Sequence, residues 1–469
     1  MKKTILLSFV FLSFSIQAQF ISAKPPTTFE LNLHNAKDIT TLLKLAAEAK
    51  STKNHKYLQS TMERIVKLKP NIPIFQYQLA EAYSLNDDKT KAFNSLILLQ
   101  KQGLYFDLEN NKNFDNIKSF PVFNYIKENI DANGKHFGAG VESFNINKSF
   151  SGLLFESIAF DFNSQSFLMG SLRDGSVIKI AASNGDISRL VTATNGGIDG
   201  PWAALDLAVD EKNDVLWVAS SAISQFGKVT KETAGLSGIF KYKLSTGELI
   251  KSFKLPGNKK PTLFKAMHLT SQGDLYILGA INNVVLKLAK DSDQISLVFS
   301  AKTHKNMRSI TTDETGDILY FSDTENGIVI INLSSQKTFA IESSEALNLI
   351  GITDLIYDDN GLVFIQNGFS PERVMRIELN TDKTSIKNIF PIESSHPAFD
   401  SPSYGVIVGD GLYYIANSQI PKTNIYGGLQ KGQLWQDMVV LSTAKHYQEK
   451  ASLDYQKQID VYEKETGTK

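Results

Sequence analysis

The chain has 469 residues, 42% of them hydrophobic, which is enough for a large packed interior and too many for bulk disorder. Its 49 Lys plus Arg balance 49 Asp plus Glu, so the basic surplus usual in nucleic-acid binders is missing. It contains no cysteine, which excludes disulfides, a thiol nucleophile, a thiolate zinc site and lipid attachment through cysteine.

The first stretch, MKKTILLSFVFLSFSIQAQF, has a basic start at Lys2 and Lys3. An apolar run follows from Ile5 to Ile16, and a small-residue cleavage pattern falls near Ala18. Residues 1–18 therefore read as a signal peptide, and the product is expected in a periplasm or outside the cell. The run is short for a bilayer, so no stable membrane span is expected.

From Ile39 to Gly103 apolar residues recur every three or four positions, the period of helices with one buried face. Two copies align at an offset of 34 residues. Leu45, Ala46 and Ala49 match Leu79, Ala80 and Tyr83; Leu58, Met62 and Ile65 match Ala92, Leu96 and Leu99. Pro70 falls where a helix must stop. This pattern resembles the tetratricopeptide repeat, although Gln76 stands where that family has an aromatic. The resemblance implies a concave surface for a protein or peptide; a helical cap packed on the next domain is the other reading. The stretch FDLENNKNFDNIKSFPVFNYIKENI would close the array, with Phe114, Ile117, Phe120, Phe123 and Ile126 as its apolar face. The helical domain is expected over 35–135.

After Gly138 the period changes to two. IAFDFNSQSFLMGS, LAVDEKNDVLWVAS, MHLTSQGDLYILGA, ITTDETGDILYFSD, LIYDDNGLVFIQN and VIVGDGLYYIANS each place a polar turn between two apolar strands, and a third strand follows each. Six such units predict a six-bladed β-propeller over 138–445, with GAGVESFNI supplying an outer strand that closes the ring. A barrel or sandwich would not explain the repeated turn. The fold class is thus helical repeat plus all-β propeller. From about Phe144 to Thr443 the repeat resembles the SMP-30/gluconolactonase, strictosidine-synthase-like and paraoxonase-like propellers, and also the NHL type.

Propeller ligands sit where the innermost strands begin, a few residues before each turn. That level offers Glu156 or Ser157, Asp206, Lys265 to His268, Arg308, Thr353 or Asp354, and residues near Ser401 to Tyr404. The lactonase-like resemblance implies calcium or another divalent cation held by oxygen ligands. Glu156 and Asp354 are its metal candidates, and His268 with Asp354 its catalytic ones. The family's middle asparagines have no counterpart, and Arg308 would repel a cation and favour a carboxylate. Trp202, Asp206, Arg308, His396 and Tyr404 are the ligand-binding candidates, Trp202 as an apolar wall behind a glycine-rich loop. Apart from that resemblance the residues call for no cofactor. The expected function is an exported scaffold or binding protein for a protein, peptide or carbohydrate. The alternative is a divalent-metal-dependent hydrolase of the lactonase or arylesterase kind. Residues 446–469 read as a polar tail with a weak helical stripe.

Overall fold

The computed structural model describes residues 27–448, apart from 256–261, 301–303, 305, 344 and 345. The signal-peptide reading and most of the polar tail lie outside the described residues. Among the described residues no helix is long and apolar enough to cross a membrane.

Six α-helices come first: α1 (Thr28–Asn35), α2 (Ile39–Ser51), α3 (His55–Leu68), α4 (Pro73–Leu85), α5 (Lys89–Lys101) and α6 (Pro121–Asn133). Their starts follow local chemistry. Asp38 and Asp88 accept backbone N–H groups at the openings of α2 and α5, and Pro73 begins α4, where its missing N–H costs nothing. Leu42, Ala46, Met62, Ile65, Ala80, Ala92, Leu96 and Leu99 form the shared core. The closing stretch departs from expectation. Between Tyr105 and Phe120 the chain makes one 3-10 turn, Lys112–Phe114, because the Asn111 side chain bonds the Asn113 backbone and turns the chain locally. Phe114, Ile117, Phe123 and Ile126 are buried as read, but Phe120 caps α6 and stays 36% exposed.

The rest is a six-bladed propeller of four-stranded antiparallel sheets. The innermost strands of blades 1 to 6 are Phe155–Asp161, Ala203–Asp210, Phe264–Leu269, Met307–Thr312, Ile352–Asp358 and Gly405–Val408. Blade 6 is completed from the far end of the sequence, since Val141–Ile146 pairs antiparallel with Met438–Ala444. The closure is packed like a core: Ile158, Met169 and Ile178 of blade 1 share one cluster with Tyr404, Ile415 and Val440 of blade 6. The outer strand of blade 2, Leu249–Lys254, carries two lysines and a serine and is almost wholly exposed.

The helical segment sits over the face where the innermost strands begin. Buried Arg373 fastens it there: its Nε donates to Gln366 Oε1 at 2.8 Å, Nη1 to the Gln102 carbonyl at 3.0 Å and Nη2 to the Asn348 carbonyl at 3.2 Å. Tyr105 N donates to the Ser370 carbonyl at 2.9 Å, Asn348 Nδ2 to the Asn71 carbonyl at 3.0 Å, and Lys69 pairs with Glu325. Phe369, from a blade 5 loop, packs into the helical core.

Candidate functional site

The innermost strands do not run straight into the channel. Pairing registers shift between Phe155 and Ile158, Ala204 and Asp206, Phe264 and Ala266, Met307 and Ile310, and Ile352 and Asp354. Such bulges bend a strand and re-aim its side chains. Here they fall on the residues that furnish the channel: Glu156, Asp206, Lys265, Arg308 and Asp354.

At the mouth, Lys265 Nζ donates to Glu156 Oε2 at 2.7 Å, with side-chain exposures of 7% and 16%. Burial works against the charged form of Lys265, but the Glu156 carboxylate and the Tyr404 phenol together outweigh it and hold the ammonium above its ordinary range. The same ammonium lies 5.1 Å from the centroid of the Tyr404 ring, in cation–π range. Burial pushes the Tyr404 phenol up to about 12. Among the described residues Arg308 forms no hydrogen bond or ion pair, and its charge acts on both Lys265 and Tyr404. The floor of the mouth therefore holds two cations and one carboxylate.

Asp206 and Asp354 have a different task. Asp206 accepts the N–H of Leu207 at 2.8 Å and, across to blade 3, that of Met267 at 2.7 Å. Asp354 accepts Ser309 Oγ of blade 4 at 2.7 Å, its neighbour Leu355 N at 2.9 Å and Gly405 N of blade 6 at 2.9 Å. Each staples neighbouring blades. Burial pushes Asp206 up to about 7 against the pull of its two N–H donors, and burial likewise raises Asp354. Both border an inner chamber of about 150 Å³ that His268 and Tyr404 also line. Burial lowers the His268 imidazole to about 4, so it is neutral near pH 7.

Above the mouth lies a vestibule of about 770 Å³ between propeller and helices. Glu156, Arg308, Thr353, Ser401 and Ser403 belong to its floor and wall, and Ile72, Ile74, Tyr105 and Phe106 to its roof. Asp107 stands at the roof's exposed edge, where the Asn110 side chain and backbone keep its carboxylate below the usual range.

The sequence candidates thus divide. Glu156, Arg308, Asp206, Asp354, His268 and Tyr404 gather around the channel. Trp202 does not: it is a core residue, 1% exposed, whose indole N–H donates to the Gly197 carbonyl at 3.0 Å. Its loop folds back on the core, so the expected apolar wall comes from the helices instead. His396 stands outside the channel, near a surface depression of about 510 Å³ that it lines with Glu372 and Phe399. Metal binding by Glu156 with Asp354 does not fit the donor set. Glu156 is neutralised by Lys265, both Asp354 oxygens accept hydrogen bonds, and Arg308 adds positive charge.

Ligand atoms for a divalent cation do gather elsewhere. His136, Glu393 and His396 form one group and Asp358, Asp359 and His446 another, the atoms of each lying within 4.8 Å of one another. Both are consistent with a divalent-cation site. In the first, His136 Nε2 meets Glu393 Oε1 at 2.8 Å and Gly140 N donates to Glu393 Oε2 at 2.7 Å. In the second, Arg376 and Lys445 already pair with Asp358. Sequence reading missed the first group because His136 and Glu393 lie 257 positions apart. It also missed the roles of Lys265 and of the roof aromatics; position at the strand start was the only signal for Lys265.

The architecture is an N-terminal helical region followed by a six-bladed antiparallel β-propeller. No family model and no curated protein matches the sequence. Among solved structures, the chain is similar to the major allergen Mala s 1 of Malassezia sympodialis, at 13% identity and TM-score 0.48 over 66% of this chain and 98% of that one. It is similar to the PQQ-bound aldose sugar dehydrogenase of Streptomyces coelicolor, at 11% and 0.46 over 66% and 99%. It is also similar to the calcium-binding protein regucalcin of Agrobacterium tumefaciens, at 15% and 0.44 over 66% and 96%. At this level the likenesses carry no argument about activity or ligand, and the architecture stands on the strand pairings.

Proposed function

We propose that this is an exported binding protein whose ligand occupies the vestibule between the helical roof and the channel mouth. The observation that carries the reading is the roofing itself. A helical segment held by buried Arg373 turns an open propeller mouth into a pocket of about 770 Å³ with apolar cover and a few convergent polar groups. That volume suits a small molecule, a sugar or the end of a peptide. The occupied Glu156 and Asp354 weigh against metal-assisted hydrolysis in the channel. The test is a thermal-shift screen of organic acids, sugars and short peptides against the wild type and Thr353→Trp, which fills the vestibule. Hits that vanish in the variant support the reading; hits that survive it, or none across the panel, refute it.

A second reading, divalent-metal-dependent hydrolysis of the lactonase or arylesterase type, is supported by the His136, Glu393 and His396 group, which includes a residue lining a surface depression. It calls for metal analysis of the purified protein and a lactone and ester screen. Metal-dependent turnover lost in His136→Ala would favour it over binding alone.

A further inference from the structure

We propose that the vestibule selects a small organic acid: its carboxylate seats on the Arg308 guanidinium at the floor, and its apolar body lies under Tyr105 and Phe106. This deepens the binding reading and rests on it. Three observations carry it.

The first is Arg308 itself. A guanidinium offers five N–H donors in a planar fork that matches a carboxylate, and Arg308 presents its own on the exposed vestibule side of its strand. Among the described residues this one has no partner, whereas Arg373 of the neighbouring blade donates from Nε, Nη1 and Nη2. The second is the balance of charge. Glu156 is committed to Lys265 at 2.7 Å, so the vestibule's floor carboxylate already has a cation while Arg308 adds a second. Asp107 is the other acid of the pocket, and it stands at the exposed edge of the roof, engaged by Asn110. The third is a separate unmet hydrogen bond. Ser403 Oγ, on a vestibule residue 2% exposed, has no partner, and neither has the adjacent, buried Tyr404 hydroxyl. Buried hydroxyls without partners are uncommon. The Ser403 oxygen is sealed from the vestibule, so a carboxylate on Arg308 meets its hydroxyl only after a local side-chain shift.

The roof fixes the rest of the ligand. Ile72, Ile74, Tyr105 and Phe106 make it apolar, so a carboxylate carried on an aromatic or aliphatic body meets both ends of the pocket. A divalent cation meets the wrong sign at the floor, and a neutral sugar leaves Arg308 unpaired.

The experiment compares 3-phenylpropionate with its neutral isostere 3-phenylpropanamide by ligand-observed NMR and calorimetry on the full chain. Wild type, Arg308→Gln, Thr353→Trp and the remote control Arg189→Gln are measured, with a melting curve confirming that each is folded. The acid should bind about tenfold to a hundredfold tighter than the amide in wild type and in the control, as expected for a charge-assisted pair. Arg308→Gln should erase that difference, and Thr353→Trp should abolish binding of both. N-acetyl-alanyl-phenylalanine, added as a second carboxylate, distinguishes a free acid from a peptide end. Binding by the dipeptide alone overturns the small-acid assignment. If acid and amide bind equally and Thr353→Trp removes both, the carboxylate inference is wrong while the vestibule reading stands. If acid preference persists in Arg308→Gln, the seat is wrong. If neither acid binds, the inference fails, and the broader screen then decides the binding reading alone.

Discussion

Removing Glu156 should expose how the channel mouth is held. In Glu156→Ala the Lys265 ammonium, 7% exposed, loses its counter-ion while Arg308 still bears on it. Breaking a fully buried pair by removing one partner costs about 3–5 kcal/mol. Glu156 is 16% exposed toward the vestibule, so water relieves part of that, and the expected loss is about 2–4 kcal/mol. Replacing both residues, Glu156→Ala with Lys265→Met, removes the stranded charge and should restore at least half of the loss. Urea unfolding followed by tryptophan emission is a suitable assay. Trp202 and Trp217 are both buried in blade 2, so the signal reports the propeller rather than the helices. A single variant within about 0.5 kcal/mol of wild type would show that the pair is ordinary surface chemistry. A double variant less stable than the single would refute the stranded-charge argument.

Four further outcomes are expected. Arg373→Leu leaves the Gln102 carbonyl and Gln366 Oε1 without their donor; it should cost about 2–4 kcal/mol and speed hydrogen exchange in residues 102–106. Asp206, raised to about 7 in the folded state, contributes stability that is complete below its unfolded value and is lost as pH rises through about 7. Melting temperatures from pH 5 to 8 should therefore fall more steeply in wild type than in Asp206→Asn, which itself is less stable because an amide cannot accept both N–H groups. His268, lowered to about 4, has the opposite sign: its contribution is present above its unfolded value near ~6.5 and is lost as pH falls toward 4, so His268→Gln should flatten acid destabilisation in that window. Finally, amino-terminal sequencing of protein recovered from a periplasmic or culture fraction should begin near residue 19; an intact Met1 in the cytosol would overturn the export reading.

The parts legible in the sequence were those with a strong period. The turn-flanked strand pairs located six blades because each buries an alternating face, and the 34-residue offset located two helical hairpins because each buries a stripe. The fourth strand of each blade was harder to place, since strands such as Leu249–Lys254 bury almost nothing and leave no pattern. At the site, position along the innermost strands identified Glu156, Asp206, Arg308 and Asp354 as channel residues. It did not reveal what each does, because a bulge decides whether a carboxylate faces the channel or a neighbouring blade's N–H groups, and bulges leave no reliable mark in one sequence. Trp202 misled for a simple reason: glycines before a tryptophan suit a mobile loop and equally suit a loop folded back on a buried ring.

The short path from α6 to the closing strand has a consequence for how the vestibule is used. Phe137 exchanges two backbone hydrogen bonds with Ser394, at 2.9 and 2.8 Å, and Gly140 N is held by Glu393 before the chain becomes the strand that shuts blade 6. Gly138 lies between them at φ +119°, where a Cβ would come within 2.4 Å of Glu393 Oε2. The covering helices are thus bolted to blade 5 at one end of this path and continue into the clasp of the ring at the other. They form a vault rather than a hinged lid. A guest passes beneath a ceiling of fixed height, so its thickness is gauged by the architecture before any hydrogen bond is made, and lifting the ceiling would mean starting to unfasten the ring.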